Sequence, residues 1–244
     1  TMIMPAFGWR GLFMIGFLPL IVVYIVRRHM KETPEFEQLK SDYQSGKKKF
    51  SFAYIANTPK RAYTSFVLII MLTIQTAGYY GLMNWLPTIM RKQLGITATV
   101  TAGYVNLGMI PIIIGMAIGM LTFGTILDKI GPRIAFTIFL IASALMIYAF
   151  TFAYNMWTLT ILGAVVGFFS NGMYGGFGAV ISRLYPSEIR ATAANTLMGS
   201  GRAIGAFSSV VIGWIMDHYS VSAVLMSLAA MYVISLVFML TIPD

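Results

Sequence analysis

Long apolar stretches alternate with short polar ones along the whole chain. A helix needs about 20 apolar residues to cross the roughly 30 Å hydrocarbon core of a bilayer. Seven stretches approach or exceed that length, at residues 10–27, 63–86, 102–127, 134–152, 157–181, 192–214 and 221–241. Their glycines and prolines would weaken soluble helices, but membrane-spanning helices tolerate both. The pattern predicts an all-α integral membrane protein with seven transmembrane helices.

The composition points to the same environment. Apolar residues make up 58% and charged residues 10% of the 244 residues, whereas an average soluble domain has roughly 25% charged residues. A single water-soluble core of this size cannot hide so much apolar surface, so part of it must face lipid. The sequence has no cysteine and only two widely separated histidines, His29 and His218. We therefore expect no catalytic residues, no metal site and no cofactor.

Basic residues are concentrated in alternate loops. The basic loops hold Arg27, Arg28, Lys31, Lys40, Lys47, Lys48, Lys49, Lys60, Arg61, Lys129, Arg133, Arg183 and Arg190. The intervening loops hold only Arg91 and Lys92. Basic loops mark the cytoplasmic side of a membrane protein. We therefore expect a multi-pass protein of the cell membrane whose chain starts outside and ends in the cytoplasm, and the net charge of +9 does not indicate a nucleic-acid partner.

Residues 28–61 form the longest polar loop and separate one predicted helix from the six that follow in residues 62–244. Within this loop, Lys47, Lys48 and Lys49 are expected at the lipid headgroups, where each cation gains about 1 kcal/mol from anionic lipid. A solvated linker without a specific partner is the alternative interpretation. The composition thus places a structural boundary here.

The loop between the third and fourth spans contains a motif that includes Gly124, Asp128, Lys129, Gly131 and Arg133. Gly131 permits a tight turn, and the proline that follows suits the first turn of the next helix. Asp128 can pair with a nearby basic residue or a helix N-terminus and so fasten neighbouring helices together. A plain polar turn is the alternative interpretation.

The loop between the fifth and sixth spans reads Tyr-Pro-Ser-Glu-Ile-Arg-Ala-Thr, from Tyr185 through Pro186, Glu188 and Arg190. Ser187 is expected to cap the helix that begins here. The two motifs resemble the signature loops of the major facilitator superfamily, and they fall in the corresponding loops on the same side. The sequence resembles the branch of organic-acid:proton symporters at three stretches around the first two spans: Phe-Gly-Trp-Arg at 7–10, Glu-Thr-Pro-Glu-Phe at 32–36 and Trp-Leu-Pro at 85–87.

The resemblance implies that the seven spans correspond to the sixth through twelfth helices of a twelve-helix transporter. Residues 1–27 would then be the final helix of an N-terminal bundle, residues 28–61 the cytoplasmic central loop, and residues 62–244 the C-terminal six-helix bundle. It also implies alternating-access transport of a small organic solute, with the two signature loops as a gating latch. The expected partners are a small, anionic substrate, a proton, the lipid bilayer, and a missing N-terminal half or a second copy.

Arg202 is the charged residue that lies deep within a predicted span. An ionisable side chain in lipid costs about 3 kcal/mol on insertion scales. Twelve residues of helix separate Arg202 from Arg190, which places it near the middle of the bilayer at 1.5 Å per residue. We expect Arg202 to bind the carboxylate of an organic acid, the alternatives being a pairing within the protein or snorkelling toward the loop.

Polar residues in the second and fifth spans are further candidates for substrate binding: Gln75, Tyr79, Asn84 and Asn171. Gln75 and Tyr79 are four residues apart and so share a helix face. These side chains would line a cavity or, alternatively, join helices by hydrogen bonds. All eight acids lie in loops or at span ends, so a proton site would belong to the missing half or be shared by the substrate and Arg202.

Three other functions are compatible with parts of this pattern. An inactive fragment holding half of a transporter would have half a cavity, because such sites lie between two bundles. A sugar facilitator shares the loop motifs but normally has more glutamine in the second span. A seven-helix receptor has no use for the transporter loops, and a retinal protein would need a buried lysine that no span contains.

The topology predicts which loops an impermeant reagent reaches. Because the chain lacks cysteine, Lys48→Cys and Tyr154→Cys each introduce a single thiol on opposite sides of the predicted membrane. In intact cells we expect a membrane-impermeant maleimide to label position 154 and not position 48. Labelling of position 48 from outside, with position 154 protected, would invert the topology.

Overall fold

The computed structural model describes Ile55, residues 57–95 and residues 98–242, with the backbone alone for 98–107, together with residues 10, 11, 13, 14, 16–29, 37, 38, 41 and 45. The chain divides into two units, Thr1–Ser51 and Phe52–Asp244. In the first unit, helix α1 (Leu18–His29) covers the second half of the first predicted span. The lysine triplet and most of the predicted central loop lie outside the described residues.

The second unit is a bundle of helices joined by short turns. Its elements are α2 (Pro59–Leu94), α3 (Ala98–Ile130), α4 (Pro132–Phe150), α5 (Met156–Val166), a π-helical segment (Gly167–Asn171), α6 (Tyr174–Leu184), α7 (Ser187–Ala206), α8 (Ser208–His218) and α9 (Val221–Leu240). Helix α2 packs against α7 and α9, α4 packs against α9, and α3 packs against α5 and the π segment. The described residues contain no strand.

Short polar side chains start several of these helices. The Thr58 hydroxyl accepts a hydrogen bond from the Arg61 N–H at 3.3 Å, and the Asn155 carbonyl oxygen accepts one from the Thr158 N–H at 2.7 Å. Such caps satisfy N–H groups that have no partner within the helix. The expected cap at Ser187 is wrong, because Ser187 is already the first helical residue and the backbone of Pro186 occupies the cap position without a side-chain bond.

Two predicted spans depart from regular α-helix. The fifth contains the π segment between α5 and α6, and the sixth is divided at Phe207 into α7 and α8, where an unbroken helix was predicted. Breaks of this kind occur at glycine and serine clusters, and the sequence around this one is rich in both. Beside the break, the Trp85 indole N–H donates to the backbone carbonyl of Ser209 at 3.2 Å, so α2 contacts the start of α8.

Glycines allow the helices to cross closely. A Cβ at Gly172 would lie 2.8 Å from the Cα of Gly119 on α3, and a Cβ at Gly205 would lie 2.7 Å from Thr76 Cβ on α2. Pairs of small residues four apart are the usual device for such close packing in membranes. Gly172 and Gly176 form such a pair against α3, and Gly201 and Gly205 form one against α2.

Five described helical stretches are long and apolar enough to cross a membrane: Pro59–Leu94, Gly108–Ile130, Pro132–Phe150, Met156–Leu184 and Val221–Leu240. Large apolar side chains remain exposed on their outer faces, among them Leu145 at 57% and Ile113 at 53%. Lipid is the solvent that suits such a surface. The chain is thus an all-α, multi-pass membrane protein, and each of the seven predicted spans falls mainly on helix in the residues that the structure describes.

Contacts between loops show that alternate loops lie at the same end of the bundle. The Arg183 Nη2 and Asp128 Oδ1 are 2.7 Å apart, which brings together the end of α6 and the end of α3. Arg133 donates to the Leu240 carbonyl at 3.0 Å, so the end of α9 lies there too. At the other end, the Lys92 ammonium donates to the Met216 carbonyl at 3.1 Å.

The close crossing at Gly172 predicts a specific sensitivity. In Gly172→Ala the new methyl group would meet backbone atoms of Gly119, which cannot swing aside as a side chain would. We expect a loss of about 1–3 kcal/mol, as for an overpacked core, seen as a lower thermal midpoint in detergent. As control, Gly199 has no neighbour within 4 Å of an added Cβ, so Gly199→Ala should be neutral or stabilise by up to about 1 kcal/mol. An unchanged midpoint for Gly172→Ala would contradict the packing.

Candidate functional site

A cavity of about 330 Å³ opens between α2, α3, the π segment, α6 and α7. Its walls consist of Gln75, Thr76, Tyr79, Tyr80, Met116, Met120, Asn171, Tyr174 and Arg202. Four of the five residues expected to bind substrate therefore share one cavity, although they come from three different predicted spans. This volume lies at the lower end of the range for small-molecule sites.

Arg202 projects into this cavity from α7. Its Nε–H donates to the Tyr174 hydroxyl at 2.8 Å, and the guanidinium carbon lies 5.4 Å from the centroid of the same ring, within cation–π range. No acidic side chain lines the cavity, and none in the described ranges forms an ion pair with Arg202. The positive charge is therefore held by a neutral phenol, while the two terminal nitrogens have no hydrogen-bond partner in the described part of the chain.

Gln75 and Asn171 form a polar base to the cavity. Gln75 is 2% exposed, and its amide Nε2 donates to the backbone carbonyl of Ser170 in the π segment. The Asn171 amide donates to the Ser170 hydroxyl at 3.1 Å. Both predicted substrate-binding amides thus line the cavity while donating to the π segment.

The rest of the lining is largely aromatic and apolar. Tyr79 and Tyr80 lie in an edge-to-face arrangement with ring centroids 5.4 Å apart, and Tyr79 is 37% exposed. Met116 and Met120 contribute thioether side chains from α3. Such side chains adapt to the shape of an unsaturated or aromatic solute. The cavity lining therefore combines one cationic side chain with an aromatic and apolar surface.

Asn84 does not line this cavity. Its amide donates to the Ser209 hydroxyl at 3.2 Å, beside the break between α7 and α8. The Trp85 indole donates to the backbone carbonyl of the same residue, so two side chains of α2 contact the start of α8. In this conformation Asn84 joins helices, which was the alternative role given by the sequence.

The first loop motif forms two links at the end of the bundle. Asp128 is paired with Arg183 at 2.7 Å, with side chains 68% and 49% exposed. Gly131 adopts a φ of 83°, a backbone conformation that favours glycine. Arg133 bonds the end of α9, whereas Lys129 is exposed and Gly124 has open space around its Cα.

The second loop motif is anchored through Tyr185 rather than through its charged residues. The buried Tyr185 hydroxyl contacts the Ser65 hydroxyl, and the Ser65 oxygen also lies within hydrogen-bonding distance of two backbone carbonyls, those of Ile55 at 2.9 Å and Arg61 at 2.8 Å. This cluster fastens the start of α2 to the loop between α6 and α7. Pro186 and Arg190 are exposed and Glu188 is half-buried.

Sequence reasoning overlooked several members of these sites. Ser65 and Ser170 each carry a key hydrogen bond, yet a single serine in a helix gives no signal of its partner. Met116 and Met120 were not among the predicted site residues, although their spacing of four residues places them on one helix face. Tyr174 was not among them either, because its contact with Arg202 is made between two helices.

The Major Facilitator Superfamily model matches residues 107–244, more than half of the chain. A protein of Haemophilus influenzae named "Putative metabolite transport protein" is 33% identical over 96% of the chain and 58% of its own length. The "Probable 4-methylmuconolactone transporter" of Cupriavidus pinatubonensis is 27% identical over 86% of the chain and 47% of its own length. The "Cis,cis-muconate transport protein" of Acinetobacter baylyi is 24% identical over 95% of the chain and 56% of its own length.

The chain therefore spans about half the length of the curated relatives that it matches. The family match covers α3 to α9 and includes both loop motifs and Arg202. With its helical bundle and its membrane-spanning segments, this match is sufficient to assign the family. The chain belongs to the Major Facilitator Superfamily.

Proposed function

We propose that this chain forms the C-terminal half of an alternating-access transporter for small organic anions, with Arg202 as the residue that binds the substrate carboxylate. The observation that carries the proposal is the uncompensated guanidinium in the cavity. Residues 1–27 would be the last helix of the N-terminal bundle, residues 28–61 the central loop and residues 62–244 the C-terminal bundle. The first half of the transporter, or a second copy of the chain, would complete the cavity.

The geometry of Arg202 suits a carboxylate. Because Tyr174 occupies the Nε–H, the two terminal nitrogens remain as an edge that can hold both oxygens of one carboxylate. A charge kept within a membrane span is costly, and an anionic substrate would offset that cost only while bound. This difference between empty and loaded states supports a substrate role over a structural one.

The apolar wall supports an organic rather than an inorganic anion. Tyr79, Tyr80 and the two methionines offer contact to a hydrocarbon or conjugated body. Two of the relatives have names that refer to muconate or a muconolactone, and muconate carries carboxylate groups. Tyr79 and Asn171 are the further residues that we expect to touch the body of the substrate.

The Asp128–Arg183 pair suits a latch that opens and closes. Exposed ion pairs of this kind contribute about 0–1 kcal/mol, so the pair can break without a large cost in stability. We propose that the end of the bundle carrying both loop motifs faces the cytoplasm, as the distribution of basic residues indicates. The latch would then favour the conformation that is closed on that side.

We further propose that transport is coupled to a proton. Within the described ranges, no carboxylate lines the cavity, so the titrating group would belong to the other half of the transporter or to the substrate itself. Coupling through the substrate would mean that a protonated acid leaves Arg202 more easily than its anion does. A sugar facilitator, the alternative, would have no need for the cation at position 202.

Substitution of Arg202 tests the binding role. In cells that express the complete transporter, Arg202→Gln should raise the apparent KM for cis,cis-muconate by about tenfold or more, since a charged hydrogen bond contributes about 1.5–3 kcal/mol. Arg202→Lys should be intermediate, because lysine keeps the charge without the paired geometry. Arg91→Gln is the control, because Arg91 lies in the last turn of α2 and does not line the cavity. An unchanged KM in both Arg202 variants would exclude the proposed role.

A charge exchange tests the latch. Asp128→Arg places two cations side by side and should lower the uptake rate severalfold, while the thermal midpoint changes little because the pair is exposed. The double variant Asp128→Arg with Arg183→Asp restores an opposite pair and should recover most of the rate. If the double variant remains as slow as the single one, the pair does not act as a latch.

A further inference from the structure

We propose that Gln75 is a positioning residue, which holds the π segment so that Tyr174 can orient Arg202. This inference deepens the proposed function, since it concerns the same anion site. It assigns Gln75 a role that differs from direct contact with substrate. The juxtaposition that carries it runs across three helices, from α2 through the π segment and α6 to α7.

The first step is the bond between Gln75 and the π segment. The Gln75 side chain is buried in the bundle, and its Nε2 donates to the backbone carbonyl of Ser170. A backbone carbonyl moves only with its segment, so this bond fixes the segment relative to α2. The Asn171 amide, by contrast, bonds the adjacent Ser170 hydroxyl within the same segment.

The second step is the register that the π segment imposes. A π turn accommodates an extra residue compared with an α-helix, and each residue of an α-helix turns by about 100° around the axis. Tyr174 is the first residue of α6, shortly after the segment ends at Asn171. Return of the segment to α geometry would therefore turn Tyr174 away from its present direction.

The third step is the dependence of Arg202 on Tyr174. The Tyr174 hydroxyl accepts from Nε at 2.8 Å, and the same ring lies 5.4 Å from the guanidinium carbon. Both contacts end if Tyr174 turns away. Arg202 would then lose the bond that directs its terminal nitrogens toward the cavity, and the carboxylate site would be misaligned.

Gln93 provides a matched control on the same helix. Its amide Nε2 also donates to a backbone carbonyl of another helix, that of Phe150, at 3.4 Å. Gln93 does not line the cavity. Loss of its amide removes the same kind of contact without touching the π segment.

The orientation of Arg202 can be observed without any ligand. The full chain, labelled with ¹⁵N-arginine in lipid nanodiscs, would give Nε–H resonances, and Arg202→Lys would assign the one from Arg202. We expect Tyr174→Phe to raise hydrogen exchange of this Nε–H about tenfold or more, because its acceptor is lost. Gln75→Met keeps the length of the side chain and removes the donor, and it should have a similar effect, whereas Gln93→Met should have none.

The double variant Gln75→Met with Tyr174→Phe separates positioning from an independent role. If Gln75 acts through Tyr174, the double variant should exchange no faster than Tyr174→Phe alone, since coupled residues are non-additive. Gln75→Glu offers a second test if the methionine variant does not fold: a protonated carboxyl can donate to the Ser170 carbonyl, and a carboxylate cannot. The Arg202 resonance should therefore follow the protonation of Glu in that variant.

Several results would overturn the inference. One is an exchange rate of the Arg202 Nε–H that stays the same in Gln75→Met or in Tyr174→Phe. Another is a double variant in which the two increases in exchange rate multiply. Binding of cis,cis-muconate to the complete transporter with the same substitutions is a separate measurement, in which Gln75→Met and Tyr174→Phe should each weaken binding about tenfold and together no more than that. Muconate binding that Arg202→Gln leaves unchanged would contradict the proposed function, while the exchange data would still decide the role of Gln75.

Discussion

Every backbone polar group of a membrane-spanning helix must find a partner within the protein, because the hydrocarbon core offers no water. This constraint permits regular helices freely, and it permits irregular ones only where a neighbour supplies the missing bond. In the described part of the chain, the helices are irregular at the π segment Gly167–Asn171 and at Phe207, where α7 ends and α8 begins. Side chains of α2 contact the backbone at both places: Gln75 donates to the Ser170 carbonyl, and Trp85 donates to the Ser209 carbonyl.

These two irregularities flank the cavity. Tyr174 follows the π segment, and Arg202 precedes the break between α7 and α8. The same glycine-rich stretches that weaken regular helix also let α7 approach α2 closely and let the end of the π segment approach α3 closely. The structure thus places its least regular described backbone beside the charged residue of this cavity, Arg202, which is where a transporter would need both a binding group and helices that can change shape.

Much of the fold could be predicted from the sequence because span length and loop charge are local properties. The resemblance carried by Asp128 and Gly131, and by the motif that starts at Tyr185, led to the correct family. The positions of Arg202, Gln75, Tyr79 and Asn171 in one cavity agree with their selection as polar or charged residues within apolar spans. Their roles in binding are predictions, as is the direction in which the chain crosses the membrane.

Other features depended on contacts between helices and left no local signal. An unbroken sixth span was predicted because its residues are helix-compatible throughout. The structure divides this span at Phe207, beside the hydrogen bonds from α2 to Ser209. Ser187 was expected to cap α7, but the helix already includes it. Asn84 and Asn171 are both asparagines within apolar spans, but Asn84 donates to the Ser209 hydroxyl outside the cavity. The contact between Tyr174 and Arg202 depends on the packing of α6 against α7, which the sequence does not reveal.

The central claim is that the guanidinium of Arg202 holds a substrate carboxylate. Solid-state NMR can measure it directly, as the dipolar coupling between the ¹³C-carboxylate of cis,cis-muconate and the terminal ¹⁵N atoms of Arg202 in the lipid-reconstituted transporter. The account predicts a coupling that corresponds to about 4 Å or less, as for a paired arginine and carboxylate. Bound muconate without a measurable coupling to Arg202 would contradict it.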